Sequence, residues 1–191
     1  MSSMAAEATT RQRLFTVEEY HRMAEAGVFA PGERVELIRG VIREMSPKGR
    51  RHTRAVTKAN RFFTLRLAGR AGTYVQEPLV KPGWDSEPEP DVVVASDPDP
   101  ESFGTERTRA LLVIEVADTS LDYDRQFKGG LYAEAEIPEY WIVNLVDDAL
   151  EVYRHPVKGA YGSRQVLKPG MRVTPLAWPE LEIEVSELIP A

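Results

Sequence analysis

A chain of 191 residues, 42% hydrophobic and 28% charged, has the balance of a globular protein and the length to bury a sizeable core. It has no cysteine, which excludes disulfides, a thiolate nucleophile and any zinc–sulfur centre. The formal net charge of −6 is unevenly spread: residues 11–70 carry 14 Lys and Arg against 6 Asp and Glu, whereas residues 71–191 carry 10 against 23, so a basic amino-terminal third can attract phosphate while the acidic remainder can gather cations.

Residues 1–13 contain no long apolar run and read as a flexible tail, leaving 14–191 as one domain. No segment approaches the length needed to span a bilayer, and the absence of cysteine fits a cytoplasmic protein. The first element is a helix over TVEEYHRMAEAG: Thr16 is the N-cap, Glu19 stands at the capping-box position, and Gly27 ends the pattern. RVELIRGVIREMSP follows as two short strands about a tight turn at Arg39-Gly40, closed by Pro47. Residues 50–68 form the longest helix, with Val56, Ala59, Phe63 and Leu67 on the apolar face and Arg and Lys outside.

TYVQEPLV reads as a strand, KPGWDSEPEP as turns, DVVVAS as a short buried strand and DPDPESFGTERT as an exposed loop. ALLVIEVAD is a near-continuous apolar run, as expected in the middle of a sheet covered on both faces. DYDRQFKGGLYAEAE is amphipathic, although Gly129-Gly130 is costly inside a helix. EYWIVNLV and ALEVYRH pair about Asp147-Asp148, and ELEIEVSELIP supplies a last strand and a helical turn. The pattern is α/β, with a mixed central sheet flanked by two main helices.

Two carboxylates interrupt apolar strands. Asp91 opens DVVVAS and Glu115 lies within LLVIEVAD. On adjoining strands they would offer hard oxygen ligands for Mg²⁺, with Mn²⁺ as a substitute. The plainer alternative is that Asp91 caps a turn and Glu115 joins a structural ion pair. Lys128, 13 residues after Glu115, is either a cation that stabilises developing phosphate charge or a surface lysine paired with Asp124 at i−4. Glu36 interrupts VELI and is a further candidate ligand; His52, at the start of the basic helix, is a candidate for phosphate contact or proton movement. Arg50, Arg51, Arg54, Lys58 and Arg61 form a basic stretch suited to guiding nucleic-acid phosphates. Tyr132 either bonds within the same cleft or closes the core.

These stretches, VELIRGVIREMSP with its following histidine, PEPDVVVAS, LLVIEVADTSLDYDRQFKGGLYAEAEIPEYWIVNLVDDALEVYR and LEIEVSEL, resemble in order and separation the bacterial restriction-endonuclease family of the Uma-two type, in the PD-(D/E)XK nuclease superfamily. The resemblance spans residues 16–189. It implies a restriction-endonuclease-like core and divalent-metal hydrolysis of phosphodiesters, with DNA as the expected substrate and a homodimer as the expected assembly. It marks Asp91 and Glu115 as the core acids, Lys128 as the lysine of the following helix, Glu36 as the acid of the early hairpin and His52 as the histidine before the long helix. The superfamily's acid-x-lysine spacing would place lysine at 117, where this chain has Ala117, so Lys128 serves only if its helix returns toward Glu115. Tyr140, Trp141 and Tyr153 are aromatic residues available for a dimer interface unless the core absorbs them. The competing reading is a non-catalytic interaction or oligomerisation protein that keeps the nuclease fold.

Overall fold

The computed structural model describes residues 11–81, 83–105 and 107–190. The chain divides into two compact units, one of Met1–Met45 with Gly83–Glu87 and a larger one of Ser46–Pro82 with Pro88–Ala191.

In the smaller unit, helix α1 (Val17–Glu25) begins at the expected capping box: the Glu19 N–H donates to the Thr16 hydroxyl, and the Glu19 carboxylate receives the Thr16 N–H. Strands β1 (Val35–Ile38) and β2 (Val41–Glu44) pair antiparallel about Arg39 and Gly40. Both turn residues have positive φ, 51° and 71°, the conformation of a two-residue hairpin turn whose twist matches its strands. Gly40 is required twice over, because a Cβ there would sit 2.7 Å from Leu14 Cβ. Glu87 bridges to β1 at Leu37, and its carboxylate lies 2.8 Å from His21 Nε2.

The larger unit is built on a six-stranded sheet in the order β3-β4-β5-β6-β7-β8: β3 (Gly72–Tyr74), β4 (Val92–Ala95), β5 (Ala110–Ala117), β6 (Glu139–Asn144), β7 (Ala149–Val157) and β8 (Ala160–Leu167). Only the β5–β6 pair is parallel, and the intervening chain carries the helical crossover that a parallel pair needs. Helix α2 (Arg50–Arg66) covers one face. Its Ala55, Ala59 and Phe63, spaced four apart, join Val92, Ile114 and Trp141 in the core, with the Phe63 and Trp141 rings 6.0 Å apart. The crossover between β5 and β6 runs as α3 (Leu121–Tyr123), one π turn (Asp124–Lys128) and α4 (Gly129–Glu134). Strands β9 (Arg172–Val173) and β10 (Ile183–Glu184) close the end of the chain, with Trp178 in the core.

The structure departs from the sequence pattern in two places and settles an alternative in a third. TYVQEPLV is not one strand: pairing stops after Tyr74, and Gln76 takes a φ of 57° that ends the extended backbone. AYGSRQVL gives no apolar alternation, yet it forms β8, an edge strand exposed along most of its length. Tyr140 and Trp141 are fully buried and Tyr153 is half-buried, so the core takes up the aromatics that had suggested an interface.

Candidate acid and lysine site

Every member of this site belongs to the larger unit. Asp91 immediately precedes β4, and the β4–β5 register, Val92 opposite Ile114, brings it beside Glu115. The Asp91 N–H donates to Glu115 Oε2 at 3.3 Å. Both carboxylates are buried, so each needs compensating donors.

Those donors are divided between the oxygens. Asp91 Oδ2 accepts the Val116 N–H at 2.9 Å and faces His52 Nε2 at 2.9 Å; facing a carboxylate, that ring nitrogen carries the proton. Asp91 Oδ1 accepts from Lys48 Nζ at 3.1 Å. Glu115 Oε1 accepts both Lys128 Nζ at 2.9 Å and the Tyr132 hydroxyl at 2.6 Å. One oxygen of each acid is thus held by two donors, while Asp91 Oδ1 and Glu115 Oε2 carry one contact each. The remaining ring nitrogen of His52, Nδ1, is buried without a hydrogen-bond partner among the described residues.

The two neighbouring acids are pushed apart in acidity. Burial drives Glu115 above the ordinary carboxylate range, with Lys128 opposing the rise and Asp91 and Asp124 adding to it. Burial also pushes Asp91 upward, but the His52 hydrogen bond and charge, the Lys48 ammonium and the Val116 N–H outweigh it, and Asp91 lies below the usual range.

Lys128 reaches Glu115 because its helix does return to β5. The π turn adds one residue, with the Gly129 N–H bonded to the Asp124 carbonyl, and sets Lys128 and Tyr132 on one side, four residues apart. Lys128 is buried rather than on the surface. On the same turn Arg125 clamps Glu151 of β7 with three charge-assisted hydrogen bonds. Gly129 lies close under the Tyr140 ring, 3.6 Å from where its Cβ would be.

The other sequence candidates lie on β1 and α2. Glu36 is buried in the smaller unit, opposite Arg43 across the β1–β2 hairpin. Arg50, Arg54 and Arg61 are exposed on α2. Arg51 is turned inward onto the Leu145 and Pro190 carbonyls and Asp148, and Lys58 donates to the Ser186 and Ile189 carbonyls at 2.8 Å each. Sequence reading missed Lys48 altogether: it sits between Pro47 and Gly49, in no periodic element, and only the fold brings it to Asp91. Tyr132 was visible as an aromatic one turn beyond Lys128.

The donor chemistry suits a hard divalent cation. Among the described residues no group of three or more His, Cys, Asp and Glu is arranged to hold a metal ion. Two carboxylate oxygens with the remaining positions left to water and phosphate is how Mg²⁺ is commonly bound.

Comparison with known proteins gives a consistent picture. A family profile described as "Putative restriction endonuclease", Uma2, matches residues 17–186. No curated protein matches the chain. Among solved structures, a putative nuclease belonging to DUF820 from Anabaena variabilis superposes with a TM-score of 0.68 at 15% identity, over 91% of this chain and 97% of that one. At that identity the likeness is one of fold.

Proposed function

Because the chain belongs to the Uma2 family of putative restriction endonucleases, we propose that it is a nuclease that hydrolyses phosphodiester bonds in nucleic acid, with DNA as substrate, at Asp91 and Glu115. The observation that carries this reading is the convergence of two buried carboxylates, from adjoining strands, with Lys128 from the following helix. Asp91 Oδ1 and Glu115 Oε2 would hold Mg²⁺ or Mn²⁺, which when bound supplies Lewis-acid polarisation of the phosphate and acidifies water.

The chain's own residues do the rest. Lys128 and Tyr132 fix Glu115 Oε1, so the second oxygen keeps one direction. Lys128 also places a positive charge where negative charge grows as water oxygen bonds to phosphorus and the bond to the leaving sugar oxygen breaks. His52 and the Val116 N–H fix Asp91 Oδ2 in the same way, and His52 Nδ1, unpaired among the described residues, is the ring nitrogen left for proton transfer.

The test is cleavage of supercoiled, linear and single-stranded DNA and of RNA with Mg²⁺, Mn²⁺ or chelator. Wild type cuts only with metal. Asp91→Asn, Glu115→Gln and Lys128→Ala remain folded and lose at least about a hundredfold in rate. Variants that cut like wild type would place the chemistry elsewhere. A folded wild type that binds metal and cleaves nothing across the panel would favour an interaction protein that keeps the fold.

A further inference from the structure

Lys48 is the unassigned member of the acid cluster. Its ammonium is 3.1 Å from Asp91 Oδ1, and its side chain is 17% exposed, whereas Lys128 on the neighbouring acid is 5% exposed. It comes from the short segment before α2, next to Gly49, which caps that helix without a side chain. The two lysines therefore stand in different mechanical settings: Lys128 rides on a packed crossover helix, and Lys48 on a loop whose side chain reaches solvent.

The oxygens they contact differ too. Lys128 shares Glu115 Oε1 with Tyr132, so that oxygen is saturated. Among the described residues Lys48 alone holds Asp91 Oδ1, because His52 and the Val116 N–H both bond Oδ2. Asp91 Oδ1 is thus the oxygen a cation can use, and a cation already occupies it. A monovalent ammonium and a divalent ion cannot share one carboxylate oxygen at contact distance without strong repulsion.

We propose that Lys48 and the divalent cation are alternative partners of Asp91 Oδ1: the lysine neutralises the acid in the metal-free protein and swings to solvent when the ion binds. The inference rests on the reading of Asp91 and Glu115 as cation ligands. It makes Lys48 a residue that sets metal affinity. Without it, Asp91 would be buried beside Glu115 with less compensating charge; with it, the protein is stable metal-free and binds metal more weakly.

Calorimetric titration of chelator-treated protein with Mn²⁺ tests this without reference to cleavage. Lys48→Met keeps the aliphatic stem and removes the competitor; it binds Mn²⁺ roughly tenfold tighter, about the value of one partly buried ion pair that no longer has to be broken. Lys48→Arg keeps the charge and binds close to wild type. Circular dichroism checks the fold of each, with Lys48→Gln as a second neutral variant. On wild-type protein, amine acetylation read by mass spectrometry shows Lys48 more reactive in saturating Mg²⁺ than in chelator. Equal affinity of wild type and both neutral variants, tight binding by Lys48→Arg, or unchanged Lys48 acetylation at metal saturation would each overturn the competition alone. Absence of Mn²⁺ binding to any of the proteins would remove the ligand reading of the acids and the competition with it.

Discussion

Glu151 shows how far one side chain's surroundings can move its chemistry. It lies fully buried on β7, and its oxygens receive Arg125, Arg164, Tyr153 and Asn144. Burial alone would raise its pKa; the hydrogen bonds from Arg125, Tyr153, Asn144 and Arg164 reverse that and bring it from 4.5 to about 2. A folded-state value below the unfolded one means stability that is complete above about pH 4.5 and drains away as the pH falls toward 2. Glu151→Gln is therefore expected to be about 3 kcal/mol less stable than wild type at pH 7, since both arginines lose their nearest counter-charge. The gap narrows steadily between pH 4.5 and 2, as wild type loses the charge the variant never had. Urea unfolding of both proteins at pH 7, 4.5 and 3 measures it, and a gap that stays constant with pH would show that the carboxylate's charge is not what holds the cluster. The same residue pins Arg125, hence the turn that carries Lys128.

That turn is where element-level expectation and structure diverge most usefully. Read as sequence, Gly129-Gly130 weakens the helix that carries Lys128. In the fold the helix persists through a π turn, because the crossover is anchored at several points: Arg125 on Glu151, Tyr140 donating to the Asp124 carbonyl at 3.2 Å, and Lys128 with Tyr132 on Glu115. Tertiary contacts outweigh propensity here, and no pattern in DYDRQFKGG foretells the extra residue. The elements that were legible were those whose signals are local: the Thr16 capping box, the Arg39-Gly40 turn, the four-residue spacing of α2 and the apolar runs that became β4 and β5. Strand β8 was illegible because an exposed edge strand needs no apolar alternation, and Lys48 because a loop lysine has no period. Gly129 has ordinary helical dihedrals, and a Cβ there would meet the Asp124 carbonyl at 3.5 Å and the Tyr140 ring at 3.6 Å, both normal contacts. Gly129→Ala should thus stabilise the protein by about 0.5–1 kcal/mol through the lower backbone entropy of the unfolded chain. Thermal unfolding checks this, and a lower melting temperature would mean that the Tyr140 contact tolerates no methyl.

At the scale of the whole molecule, a net charge of −6 opposes any polyanion, so nucleic-acid binding has to come from a local field. The sequence assigned that field to five cations of α2, and the structure sorts them. Arg50, Arg54 and Arg61 point to solvent, whereas Arg51 is spent on the Leu145 carbonyl and Asp148, and Lys58 on the Ser186 and Ile189 carbonyls. Replacing a solvent-facing arginine removes a phosphate contact and the counterion release that accompanies it; replacing Lys58 removes two internal hydrogen bonds. The two kinds of loss separate in two measurements. Arg54→Ala with Arg61→Ala should leave stability within about 0.5 kcal/mol of wild type, weaken binding to a duplex at low salt, and reduce the slope of log affinity against log salt by about 2. Lys58→Ala should leave that slope unchanged and cost about 1–2 kcal/mol in urea unfolding. The weakening from the arginine pair should be uniform across duplex sequences, because phosphate contacts set position and carry no base information. Fluorescence anisotropy over a salt series, with chelator present to prevent cleavage, measures the affinities and slopes, and urea unfolding the stabilities. An arginine pair that leaves the slope untouched would move the nucleic-acid surface off α2, and a Lys58→Ala variant that loses slope without losing stability would return that lysine to it.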